Sequence, residues 1–401
     1  MSQQFSFIPV LYLLGAAHGV FLAIALFTHH VGSRRANRYL GLYSLVFVAA
    51  LCDYFIDLSG LTHSLLSIRV IMWPKEFLYG VLLYFYTREL TNPGKYPLQG
   101  RQWWHFIPAF LHIVVTWSLL LLPHEVQHAI LYGGPVTDRL QQYWAFLLDG
   151  MELLLTIVHL SLYLLLCLSL LHQHRQRLLH TYSFRERVSL NWLSYLISGT
   201  LAVYIVWLAE QFTDQGQQLD SWLDFALGLS MVVLIYSMSI LGLRQARIFA
   251  SSHRQESVSP DEEGLPAIDT VEALDREHKQ KYRNSALSEE LGRELMDTVD
   301  QAMRRDHLYR DPTLSLPQMA EQLELPVNYL SQVINQQKGQ NFFDYINAYR
   351  VGEVTRLMKE SPNRSALDLA LAAGFNSKSP FYTAFRKHTG MTPGQFRRSI
   401  S

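Results

Sequence analysis

The sequence predicts an all-α protein: a seven-helix transmembrane bundle followed by a small all-α domain of two helix-turn-helix units. Three observations carry this. Apolar runs of about 20 residues, the length that crosses a bilayer, recur through the first 245 positions. Lys and Arg collect in every second connection between those runs. After a polar stretch, residues 288–401 show helical periodicity and no alternating strand pattern.

The runs lie near 8–28, 39–57, 70–87, 104–122, 143–171, 190–212 and 222–243. The stretch Met1–Phe7 has no Lys or Arg and the run that follows is too long for a signal peptide, so a retained first span is expected. Asp53, Asp57, Lys75 and Glu76 interrupt the second and third runs. Pro9, Pro74 and Pro108 stand near span starts, where a missing N–H costs little. Trp73, Trp103, Trp104, Trp144 and Trp222 stand at span ends, where amphipathic rings favour the interface. Cys52 and Cys167 fall inside apolar runs and read as buried thiols.

Charge sets the orientation. Thirteen Lys and Arg residues, from Arg34 to Arg254, occupy one set of connections, while the alternate set holds Arg69 and Arg139. Positive loops stay in the cytoplasm, which places the N-terminus outside and the C-terminus inside a bacterial inner membrane. Formal net charge is zero, so the whole-chain balance indicates no partner. Charged residues are 17% of the chain against about 25% in soluble proteins, a deficit confined to the spans.

Residues 246–287 read as a linker with a short helix near Val271–Lys281, separating a membrane domain (1–245) from a C-terminal domain (288–401). Leu291, Leu295, Val299 and Met303 mark a first amphipathic helix, with Ser288 as its N-cap. Leu316, Ala320 and Leu323, a turn at Glu324-Leu-Pro, then Leu330, Val333 and Ile334 describe one helix-turn-helix. Leu369 and Ala373, a turn at Gly374-Phe-Asn-Ser, then Phe381 and Phe385 describe a second. A helix from about Phe342 to Met358 joins them.

Three stretches, Phe343-Asp-Tyr-Ile-Asn-Ala-Tyr-Arg-Val, Ala372-Ala-Gly-Phe-Asn-Ser-Lys-Ser-Pro-Phe-Tyr-Thr-Ala-Phe-Arg-Lys and Thr389-Gly-Met-Thr-Pro-Gly-Gln-Phe-Arg, closely resemble the AraC-type DNA-binding domain. The segment from Lys281 to Ser288 resembles the approach to that domain in membrane-bound members with seven spans. The resemblance implies two recognition helices in successive major-groove segments. It places Asn328, Ser331 and Gln332 on the first, and Lys378, Ser379, Tyr382 and Thr383 on the second. Arg386 and Lys387 are expected at phosphates, and Lys338, the first basic residue after Gln332, is a further DNA-binding candidate. Two departures, Gln332 where many relatives carry Arg and Pro380 early in the second helix, shift the expected readout toward the second unit. Residues 335–401 hold ten Lys and Arg against four Asp and Glu, a balance suited to phosphates.

In the spans, Asp149, Glu152, Thr156, His159 and Tyr163 fall on one stripe of the fifth helix. Together with Asp53, Asp57 and Glu76 they outline a ligand site open to the outside, since intramembrane charges face the bundle interior or water. No nucleophile motif, phosphate-binding glycine loop, cofactor site or metal site is expected, and His172-Gln-His174 is read as part of an Arg-rich loop. The expectation is therefore a non-enzymatic transcription regulator. Its expected partners are double-stranded promoter DNA, the lipid bilayer, a small-molecule or ionic signal and a second copy of itself. A transporter or a passive anchor carrying an interaction module is the competing reading.

Overall fold

Long apolar runs form helices because only a helix satisfies its own backbone where water is excluded. The computed structural model describes residues 7–28, 33–92, 99–132, 142, 151–183, 190–212, 218–256 and 289–400. Among these the regular elements are helices, apart from one isolated antiparallel bridge between Tyr182 and Ser315. Trp144, Asp149, Ser288 and the short helix expected at Val271–Lys281 lie outside the described residues. Contacts divide the chain into two compact units, one of Met1–Leu171 with Leu190–Asp261, the other of His172–Ser189 with Glu262–Ser401.

The first unit contains α1 (Phe7–Thr28), α2 (Arg34–Leu58), α3 (Leu66–Met72), α4 (Leu78–Thr91), α5 (Ile107–Ser118), α6 (His124–Tyr132), most of α7 (Glu152–Thr181), α8 (Asn191–Glu210) and α9 (Gln218–Glu256). The described parts of all seven expected segments fall on helices, the fifth from residue 151 onward. Six stretches of the described residues are long and apolar enough to cross a membrane. The third segment is broken. A 3-10 turn at Trp73–Phe77, with Pro74 at its start, separates α3 from α4 and turns Lys75 and Glu76 inward. The last helix continues to Glu256, past position 245.

Large apolar side chains cover the outside of this unit: Phe21 is 72% exposed, Leu154 63% and Leu165 65%. Soluble proteins rarely show such continuous apolar surface. Inside, helices approach closely where residues are small. A Cβ at Gly228 would fall on the ring of Tyr12, whose hydroxyl donates to the carbonyls of Asp224 and Phe225, 3.2 Å from each. Tyr43 and Thr200 share a buried hydrogen bond of 2.7 Å. Both cysteines are free thiols.

The second unit contains α10 (Glu289–Arg305), α11 (Leu316–Gln322), α12 (Val327–Lys338), α13 (Phe342–Glu360), α14 (Ala366–Ala372), α15 (Lys378–Thr389) and α16 (Pro393–Ile400). It has two apolar cores. One gathers Val299, Met303, Leu316, Leu330 and Ile334, the other Leu369, Phe375, Phe381 and Phe385. Each large side chain removed from water contributes about 1.5–3 kcal/mol. Of the apolar positions expected along α10, Val299 and Met303 are buried while Leu291 is 45% exposed.

Candidate nucleic-acid interface

The two halves of the second unit repeat one backbone design. Ser315 caps α11 through a reciprocal capping box with Gln318, and Ser365 caps α14 by accepting from the Asp368 N–H. Each short helix ends in a left-handed residue, Glu324 (φ 53°) in the first half and Gly374 (φ 94°) in the second. Matching bonds close the turns: Leu325 N–H donates to the Ala320 carbonyl at 2.8 Å and Phe375 N–H to the Ala370 carbonyl at 3.0 Å. Ala320 and Ala370 are both buried, and their small size lets the following helix cross close by.

The helices after the turns, α12 and α15, bury one face and leave the other open. Leu330, Val333 and Ile334 point into one core, Phe381, Ala384 and Phe385 into the other. Asn328, Ser331 and Gln332 stand half-buried on the open face of α12. Lys378, Ser379, Tyr382, Thr383 and Arg386 are exposed along α15. Spacings of three and four residues put each set on a single stripe. The Lys378 ammonium lies 5.4 Å from the centroid of the Tyr382 ring, and the Thr383 hydroxyl donates to the Ser379 carbonyl at 3.1 Å.

The basic residues differ in what already holds them. Lys338 sits at the far end of α12 and pairs with Asp300 at 2.8 Å, while Lys387 pairs with Asp344 at 2.7 Å. Burial pushes the Asp300 carboxyl up, but hydrogen bonds from Lys338, Tyr349 and Tyr345 outweigh it and hold the group below the usual carboxylate range. Arg356 binds Glu353 and Glu360. The Arg356 and Arg310 bonds to Glu353 outweigh its burial and pull that carboxyl down to about 2. Arg386 and Arg398 are exposed. Sequence reasoning missed Asp300 and Ser183, which bear on this surface only through the fold.

In the first unit, a cavity of about 330 Å³ is lined by Asp53, Asp57, Glu76, Glu210 and Asp224, with Arg69 and Lys75 among them. Arg69 binds Asp53 and Asp57 at 2.6 Å each, and Lys75 binds Asp53 at 3.2 Å. The acids of this cavity are thus partly neutralised in place. Glu152 accepts from the Trp73 indole at 2.7 Å and lies 3.2 Å from His112, and His159 packs on Phe77 and Tyr163. His172 is exposed and His174 buried, as residues two apart on a helix face opposite ways, so they form no chelating pair.

The chain matches the helix-turn-helix domain family model over residues 319–399, the region just described. The second unit carries an AraC-type helix-turn-helix domain. The melibiose operon regulatory protein of Escherichia coli is 36% identical over 88 residues, 22% of this chain and 29% of that protein. The uncharacterized transcriptional regulatory protein YesN of Bacillus subtilis is 31% identical over 90 residues, 22% of this chain and 24% of that one. The probable transcription factor PqrA of Proteus vulgaris is 32% identical over 71 residues, 18% of this chain and 57% of that protein. The chain thus spans under a third of the length of the first two relatives.

Proposed function

We propose that this chain is a membrane-anchored, sequence-specific DNA-binding transcription regulator. The observation that carries the reading is the duplicated helix-turn-helix, with two polar stripes left open on α12 and α15, in a chain whose other unit is covered by apolar side chains. Major-groove recognition needs side chains that meet base edges: Asn328 and Gln332 suit adenine, and Lys378 suits guanine. Arg386 and Lys387 suit phosphates, which position the protein without reading sequence. The charge asymmetry of the loops supports an N-terminus outside the bacterial inner membrane and the AraC-type domain in the cytoplasm.

The test is selection of bound sequences from random duplex DNA by the full-length chain in lipid nanodiscs. Enrichment of one motif, lost in a Lys378→Ala, Thr383→Ala double variant, is the expected result. Binding without sequence preference would favour the interaction-module reading.

The membrane unit is read as the receiver of the signal. Five carboxylates against two cations around one cavity favour a cationic ligand or a proton. A ligand shifts output only if it binds two arrangements of the spans unequally. Replacing Glu76 and Glu210 by Gln is expected to fix reporter-gene output in one state while motif binding persists. A double variant that responds as the parent does would make the spans a passive anchor.

A further inference from the structure

We propose that His63, His124 and Glu125, with His128 beside them, form a binding site for a divalent transition-metal ion of the zinc type. The site shares no residue with the acidic cavity or the DNA-binding surface. The sequence His124-Glu-Val-Gln-His128 puts two imidazoles four residues apart, on one face of α6, with a carboxylate next to the first. The turn before α3 brings a third imidazole to them. One ligand atom from each of His63, His124 and Glu125 lies within 4.8 Å of the other two. The His63 ring centroid is 4.6 Å from that of His124 and 5.9 Å from that of His128. A tetrahedral zinc ion with ligands at 2.0–2.1 Å needs ligand atoms about 3.3 Å apart, so small rotations of the exposed His63 and Glu125 toward the half-buried His124 close the set.

A second observation concerns protonation. The Nε2 of His124 lies 2.9 Å from the backbone carbonyl of His63. A carbonyl only accepts, so Nε2 is the donor of this bond and Nδ1 is the nitrogen of the neutral ring that would meet a metal. Metal-binding histidines are oriented in this way, the second ring nitrogen donating to a carbonyl or carboxylate.

Both sides of the site are anchored. Ile130 of α6 packs with Val70 of α3 and Leu119, and the buried Gln127 amide donates to the Leu122 carbonyl at 2.9 Å. On the other side, the Leu65 N–H donates to the Leu61 carbonyl at 2.9 Å, which ties the turn bearing His63 to the start of α3. Imidazole and carboxylate ligands favour zinc and its neighbours over magnesium or calcium, which take oxygen sets. The loop charges put this site on the outer side of the bundle; only that sidedness rests on the topology proposed above.

The experiment uses the full-length chain in detergent, purified without a polyhistidine tag and stripped with a chelator. Zinc is titrated against a chromophoric competitor. The expected result is one zinc per chain, undisturbed by millimolar magnesium. Affinity should fall at least tenfold in both His63→Ala and His124→Ala and stay unchanged in a His172→Ala, His174→Ala control. Circular dichroism checks the fold of each variant; if His124→Ala loses helix, Glu125→Gln takes its place with the same expected loss. Absence of stoichiometric zinc in the parent, or parental affinity in either site variant, overturns the site and leaves the DNA-binding reading untouched.

Discussion

The guanidinium of Arg350, on α13, donates to both the backbone carbonyl and the hydroxyl of Ser183, 167 residues earlier in the chain, at 3.0 and 3.1 Å. The same group reaches the carbonyls of Tyr309 at 2.8 Å and Asp311 at 2.7 Å, and only 1% of Arg350 is exposed. Burial pulls the guanidinium pKa down to about 10, so it remains charged at neutral pH. Ser183 follows α7 and belongs to the same compact unit as the AraC-type domain, where its hydroxyl donates to the Leu314 carbonyl at 2.5 Å.

Removing this hub leaves several buried acceptors without a donor. Arg350→Ala is expected to destabilise the second unit by about 3 kcal/mol, and Ser183→Ala by about 1–2 kcal/mol, since the Ser183 carbonyl still accepts. Urea unfolding of the full-length chain in detergent, followed by Trp-independent proteolysis of the C-terminal region, measures both. A fragment beginning at residue 286 lacks Ser183 and should be less stable than the same region in the whole chain.

DNA affinity should fall steeply with salt. With about five phosphates neutralised, log K against log salt is expected to slope at about −4 to −5. Arg386→Ala should weaken all sequences alike. Lys387→Ala should cost less, because Lys387 already pairs with Asp344 and gives up that pair on meeting a phosphate. Lys378→Ala should change base preference, at about 1–3 kcal/mol for a lost base contact. Equilibrium titrations at several salt concentrations separate these outcomes.

Acid should loosen the AraC-type domain at a defined place. The carboxyl of Glu353 sits near 2 in the fold and would return toward its ordinary value, about 4.3, once unfolded. A depressed folded value means the stabilisation is complete above the unfolded value and is lost as pH falls toward 2. Glu353→Gln should flatten stability between about pH 4.5 and pH 2. Unfolding midpoints measured across that range check the sign.

The membrane topology has its own test. Reporter enzymes fused after Thr137 or Gly216 should report the periplasm, and those after Asn92 or Tyr182 the cytoplasm. A cytoplasmic signal at Gly216 would remove the seventh span.

What was legible in the sequence was whatever short-range spacing controls. The positions of Leu330, Phe381 and Phe385 follow from helical periodicity, and they are buried as expected. The long apolar runs announce their helices because backbone groups have no alternative partner there. Contacts between distant segments were not legible. Nothing near Ser183 marks it as the acceptor for Arg350, and nothing near Arg69 announces that it neutralises Asp53 and Asp57. Histidine spacing shows both sides of the limit. His172 and His174, two apart, invite a chelating reading that a helix forbids, whereas His124 and His128, four apart, share a face. The third imidazole, His63, is brought in by tertiary packing alone.

The turn at Gly374 presses against the chain just before α11. A Cβ there would fall on the Tyr309 carbonyl and lie 2.9 Å from Arg310 backbone atoms, and Arg350 donates to that same carbonyl. The two halves of the AraC-type domain, though each has its own core, are therefore held together at this backbone crossing as well as along α13, and the domain is expected to act on DNA as a caliper of narrow opening. A tool of that kind measures DNA by rotational phase as well as by sequence. Adding about five base pairs between the two half-sites, half a helical turn, would carry the second half-site to the opposite side of the duplex, while adding a full turn would restore the facing side at a separation the caliper cannot span. Operator length, not only operator letters, is then expected to decide binding, and Gly374 against the Tyr309 carbonyl is one of the contacts that would set it.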